Sequence, residues 1–170
     1  YTSNFTPPTA PLTNVTNTKL LANFTNSAAF DQTGKTNAIT RANAQTSTAV
    51  TPKFGTASLY LDGTSDCVQL VNVVPIGTSP FTIEFFFRSN TTSLDTYYRR
   101  MYKMNIVTAQ SDEWCEICIN HSSGSYGSGN NIFMYTPSNT IIGTATPFDN
   151  NWHHFAMTRD TSNNLKMFVD

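Results

Sequence analysis

The sequence predicts an all-β protein: an antiparallel sandwich of two sheets. Three observations predict it. Phe81, Ile83, Phe85 and Phe87 recur at every second position, so a strand sets four large apolar side chains on one face, whereas a helix would scatter them. Short apolar runs of this kind recur along the chain, parted by Gly, Pro, Asn, Asp and Ser at the strand-and-turn spacing of sandwiches. Thr, Asn and Ser together make up about a third of the 170 residues, far above ordinary usage, and they suit strands and turns better than helices.

Taken in order, residues 1–18 hold three prolines among Thr and Asn and read as an extended arm. Residues 19–170 read as the sandwich. Leu20–Phe24 begins the apolar signal, and Asp31–Lys35 is a turn by composition. Residues 36–53 are weakly patterned, an edge strand or loop. Ala57–Asp62, Cys67–Val74 and Phe81–Arg88 are strands, with Leu59 and Leu61 expected in the core beside the four residues of the 81–87 face. Residues 89–104 read as a long loop and Asn105–Ala109 as a strand. Trp114–Asn120 follows, and the Gly/Ser-rich 121–130 is a loop. Asn131–Tyr135 and Thr140–Gly143 form a hairpin around Pro137. Trp152–Arg159, with Phe155 and Met157 facing the core, turns through Asp160–Asn164 into Leu165–Asp170. The last strand stops where a turn should begin, so further strands are expected beyond Asp170.

Charge and composition exclude several classes. Charged residues are 12% of the chain and the net charge is −1, with a pI near 6.3, which is not the basic footprint of a nucleic-acid binder. No apolar run reaches the roughly 20 residues of a membrane span. Three cysteines are too few for a disulfide framework. Cys115 and Cys118 lie in a strand and point to opposite faces, so they share neither a bond nor a metal; Cys67 could still pair with one of them.

Three segments carry a resemblance: Phe54-Gly-Thr-Ala-Ser-Leu-Tyr-Leu-Asp-Gly63, Phe81-Thr-Ile-Glu-Phe-Phe-Phe-Arg88, and Trp152-His-His-Phe-Ala-Met-Thr-Arg159 leading to Leu165-Lys-Met-Phe-Val-Asp170. In this order they resemble the laminin-G-like, concanavalin A-like lectin/glucanase superfamily, which implies a jelly roll. Phe86 stands where that family usually has Trp. The arm 1–18 is similar to linkers in virion structural proteins of marine, cyanophage-like tailed phages. The resemblance implies a virion surface, fibre or decoration protein that adheres to host-surface glycans, with other copies of itself or other virion proteins as partners. The alternatives are a purely structural interaction module and a glucanase.

Candidate sites follow from these readings. Glucanases of the superfamily place paired carboxylates at alternate positions of one strand; here Glu84 stands alone, and Glu113 and Glu116 fall on opposite faces, so no enzyme is expected. Tyr97, Tyr98, Arg99, Arg100 and Tyr102 crowd one stretch and Tyr126 marks the Gly/Ser loop, residue types that dominate binding hot spots. They are the candidate ligand contacts. No cofactor is expected. The resemblance also implies that a calcium ion could sit at the sheet rim, drawing on Asp62, Asp66, Asp112, Asp149 or Asp160. His153 and His154 face opposite ways on a strand and cannot share a metal; the resemblance implies that they are structural.

Overall fold

The computed structural model describes residues 5–24, 30–35, 38–71, 79–89, 99–105, 114–121, 129–136 and 139–170. They contain strands and no helix: β1 (Ala22–Asn23), β2 (Phe30–Asp31), β3 (Ala38–Ala42), β4 (Gln45–Ser47), β5 (Ser58–Tyr60), β6 (Cys67–Val71), β7 (Phe81–Arg88), β8 (Arg99–Asn105), β9 (Trp114–His121), β10 (Gly129–Thr136), β11 (Asn139–Ile142), β12 (Trp152–Arg159) and β13 (Leu165–Val169). The expected all-β fold is the one observed. The chain divides into two compact units, one of Tyr1–Pro7 with Pro75–Asp170 and one of Pro8–Val74.

The first unit is a sandwich. Its four-stranded sheet has the order β11-β10-β9-β8 and its three-stranded sheet the order β13-β12-β7, with every pairing antiparallel. Ile117, Ile132 and Met134 from the first sheet meet Phe155 and Met157 from the second, with Phe148 from the loop before β12. Phe81, Ile83, Phe85 and Phe87 pack against this core along β7. The period-two reading of that strand thus has a partner surface: Phe85 lies opposite Phe155 and Ile83 opposite Met157, and the rings of Phe85 and Phe155 stack with centroids 5.0 Å apart.

Both sheets are also buried on their second faces at the centre. On β9 and β10, Cys118 lies opposite Phe133 and both are buried. On β12, His154, Ala156 and Thr158 alternate with the core residues and are buried as well. Phe5 covers part of this face, edge-on to the rings of His154 and Phe168. Phe86, on the same face of β7, lies 4.8 Å from the His154 ring. A Phe here, in place of the family's usual Trp, is therefore a packing residue.

Two devices tie the sandwich together. Gly143, just after β11, donates its N–H to Ile132 O at 2.8 Å. A Cβ there would stand 3.0 Å from both that carbonyl oxygen and Met167 Cε of β13, so a side chain at this position would press on a backbone carbonyl and force its neighbours to shift. The β12–β13 hairpin is closed by Asp160, whose carboxylate accepts N–H bonds from Ser162 and Asn164, with Asn163 in the left-handed region at φ 64°. The Asn164 side chain leads the contacts that hold the Asp160 pKa below its ordinary value.

The second unit is made of three antiparallel pairs, β1–β2, β3–β6 and β4–β5. Residues 36–53, weakly patterned in sequence, contribute β3 and β4. Leu59 is partly buried, but Leu61 is 44% exposed, contrary to its expected place in the core. β5 ends at Tyr60, so strand alternation does not carry on to turn Leu61 inward.

Residues 99–105 are a strand, not the loop that the sequence suggests. β8 pairs with β9 across a register shift between Arg100 and Tyr102. A bulge inserts one unpaired residue and breaks period-two alternation, so adjacent Met101 and Tyr102 both pack against the core.

Candidate functional site

A polar cluster gathers at the start of β12. Antiparallel pairing places Phe155 opposite Val169, which brings Asp170 level with His154. Asp170 accepts the His154 backbone N–H on Oδ1 at 2.9 Å and returns its own N–H to His154 O at 3.0 Å. Its second oxygen, Oδ2, lies 2.5 Å from His153 Nδ1. The other ring nitrogen of His153 is 2.9 Å from Asp149 Oδ1. A neutral imidazole has one N–H, and a carboxylate only accepts; two such bonds therefore require an imidazolium.

The electrostatics agree with this geometry. Burial pulls the His153 pKa down, but the bonds from Asp149 and Asp170 outweigh it, and the net shift is upward from 6.5. Asp149 is held well below the usual carboxylate range, first by His153 and then by the Asn151 side chain and N–H. Asn151 donates its N–H to Asp149 Oδ1 and its amide to Oδ2. One turn residue further in, Asn150 sits at φ 68°, accepts the Arg88 Nε–H at 2.9 Å and donates its N–H to Ser89 O.

Chemically this is a clamp. Its carboxylate oxygens already accept N–H donors, and a histidine held between two carboxylates has no lone pair to act as base. On the opposite face of β12, Glu84 Oε2 lies 3.3 Å from the buried His154 Nε2. The two adjacent histidines thus serve different faces, as strand geometry dictates.

The sequence-derived candidates land as follows. Arg99 and Arg100 lie on β8, Tyr102 is half-buried against the core, and Tyr97, Tyr98 and Tyr126 lie outside the described residues. Phe155 and Met157 are fully buried. Of the rim aspartates, Asp62 and Asp66 close their own turn: Asp66 accepts the Asp62 N–H, and Asp62 accepts the Thr64 N–H. Asp160 closes another, Asp149 belongs to the clamp, and Asp112 lies outside the described residues. Among the described residues no group of three or more His, Cys, Asp or Glu is arranged to hold a metal ion. Cys67 is a free, exposed thiol, and Cys118 is buried. Asp170 was missed as a site residue. Its signal was present, because the length of the Asp160–Asn164 turn sets the hairpin register and so places Asp170 beside the two histidines.

A family model matches residues 62–170, and its description is the concanavalin A-like lectin/glucanases superfamily. No curated protein and no solved structure matches the chain. The matched span contains β6 through β13, with the sandwich core, the His153 clamp and the β12–β13 hairpin. The chain belongs to the concanavalin A-like lectin/glucanases superfamily.

Proposed function

We propose that this chain is a non-enzymatic carbohydrate-binding module, displayed on the outside of a virion or fibre, where it adheres to host-surface glycans. Membership of a superfamily of lectins and glucanases supports a carbohydrate-binding type of module. The observation that carries the choice of binding over hydrolysis is the state of Asp149, Asp170 and Glu84. Glycoside hydrolysis needs one carboxyl kept protonated as acid and a second free as nucleophile or base. Asp149 is instead driven towards the ionised form and Asp170 is bonded to His153 and to the backbone, while Glu84 faces buried His154.

The virion setting rests on the Thr/Asn/Ser-rich surface and on the likeness of the arm to phage linkers. Other copies of the chain, or other virion proteins, are its partners in this reading, and many weak sites acting together supply avidity. A glycan array probed with oligomerised protein tests the binding: retention on one family of polysaccharides is expected, and silence across host polysaccharides would sink it. Antibody labelling of intact particles tests the display, with absence of label counting against it.

A purely structural module is the second reading, favoured by the seating of Phe5 on the His154–Phe168 face. Removing residues 1–18 should then abolish incorporation into the particle while the sandwich remains folded; normal incorporation would exclude it.

A further inference from the structure

Within the Pro8–Val74 unit, the chain turns a corner between two ribbons. β3 runs beside β6 and β4 beside β5. The join is Asn43–Ala44, with Asn43 at φ 57° and the Ala44 N–H bonded to Ala42 O at 2.6 Å. Ala44 is buried. The corner leaves a shallow recess of about 380 Å³, open to solvent, lined by Arg41, Asn43, Ala44, Gln45 and Thr46.

The chemistry of this lining is uniform. Apart from the small Ala44, each residue offers a guanidinium, a carboxamide or a hydroxyl, groups that together donate and accept many hydrogen bonds. Pockets for drug-like ligands are mainly apolar; this one suits a ligand covered in hydroxyls. An aromatic side chain is paired across the ribbon with one of the lining residues. Gln45 lies directly opposite Tyr60 in the β4–β5 register, and opposed residues project from the same face with Cβ atoms roughly 5 Å apart. Tyr60 is 54% exposed. The turn that follows β5 is held to the corner by Asn43, whose amide reaches Ser65 O at 3.5 Å.

We infer that this recess is a sugar-binding site: one pyranose ring of a polysaccharide bonds through its hydroxyls to Arg41, Asn43 and Gln45 and lays its C–H face on Tyr60. The inference rests on the carbohydrate-binding reading above and places it on residues outside the Tyr/Arg stretch singled out in the sequence. Tyr60 gives the apolar contact and the amides read hydroxyl direction. The shallow, open form admits a ring within a long polymer rather than only a chain end.

The test begins with whole-chain protein on polysaccharide-coated surfaces. Tyr60→Ala and Gln45→Ala should each weaken retention about tenfold, the size of one lost contact of about 1.4 kcal/mol. Tyr60→Phe should retain binding, since it keeps the ring, and Ile142→Ala, at an exposed position of the other unit, should leave it unchanged. Far-UV circular dichroism confirms that the variants fold. Bound polysaccharide should also slow alkylation of Cys67, an exposed thiol whose backbone pairs with that of Asn43, as read by peptide mapping. Full binding by Tyr60→Ala and Gln45→Ala, with Cys67 alkylated at its unliganded rate, would overturn the site while leaving carbohydrate binding intact. Failure of the unaltered protein to bind any polysaccharide would overturn both.

Discussion

Replacing Phe155 by Ala should remove about 4 kcal/mol of stability. Phe155 is 0% exposed, and a buried Phe withdraws roughly 150–250 Å² from water. At about 25 cal/mol per Å² that is roughly 4–6 kcal/mol, from which the methyl retained by Ala must be subtracted. The ring also stacks on Phe85 at 5.0 Å, a contact that contributes roughly 0.5–1.5 kcal/mol beyond area. Phe→Ala changes in packed cores cost about 3–5 kcal/mol, cavity included. Both tryptophans, Trp114 and Trp152, belong to the unit that contains Phe155, so their fluorescence during urea unfolding reports on that unit. With a slope of about 2 kcal/mol per M, the midpoint should fall by about 2 M. Ile142→Ala, at a position 46% exposed, should move it by less than about 0.5 M under the same slope. A Phe155→Ala midpoint within 0.5 M of the parent, by that slope, or an equal loss from Ile142→Ala, would refute the assignment of β7 and β12 to one buried core.

Other outcomes follow from the same geometry. His153 has a folded pKa above its ordinary 6.5, so its stabilisation is fully present below about 6.5 and is lost as pH rises through the higher folded value; unfolding midpoints should decline across that window, and His153→Phe should flatten the decline. An NMR titration placing the His153 pKa at or below 6.5 would contradict the clamp. Phe5→Ala removes two edge-on ring contacts and should cost about 1 kcal/mol, with faster amide exchange in β12 and β13; unchanged exchange there would show that the face is covered without Phe5. Under native conditions Cys67 should alkylate and Cys118 should not, and equal labelling in peptide maps would count against the burial of β9.

Periodicity made much of the sandwich legible. The alternating apolar face of Phe81–Phe87 and the turn residues Asp160–Asn164 named β7, β12, β13 and their turn, because strand alternation and turn chemistry are local properties. β8 was not legible, because the bulge at Met101 breaks the alternation on which a strand reading depends. Leu61 was read as core because the pattern does not show where a strand stops. The His153 clamp was half legible: adjacent histidines on a strand must face opposite ways, but the partners come from the preceding turn and from the end of the next strand.

Local chemistry, then, determined that this chain is all-β, which face of β7 is apolar, and that Asp62, Asp66 and Asp160 belong to turns. Tertiary structure alone decided the rest. It set Asp149 and Asp170 on either side of one imidazole, turned Tyr102 to the core, and brought Arg41, Asn43, Gln45 and Tyr60 round one corner. Strand pairing and a left-handed corner residue made those neighbours, and these join residues that no local spacing links.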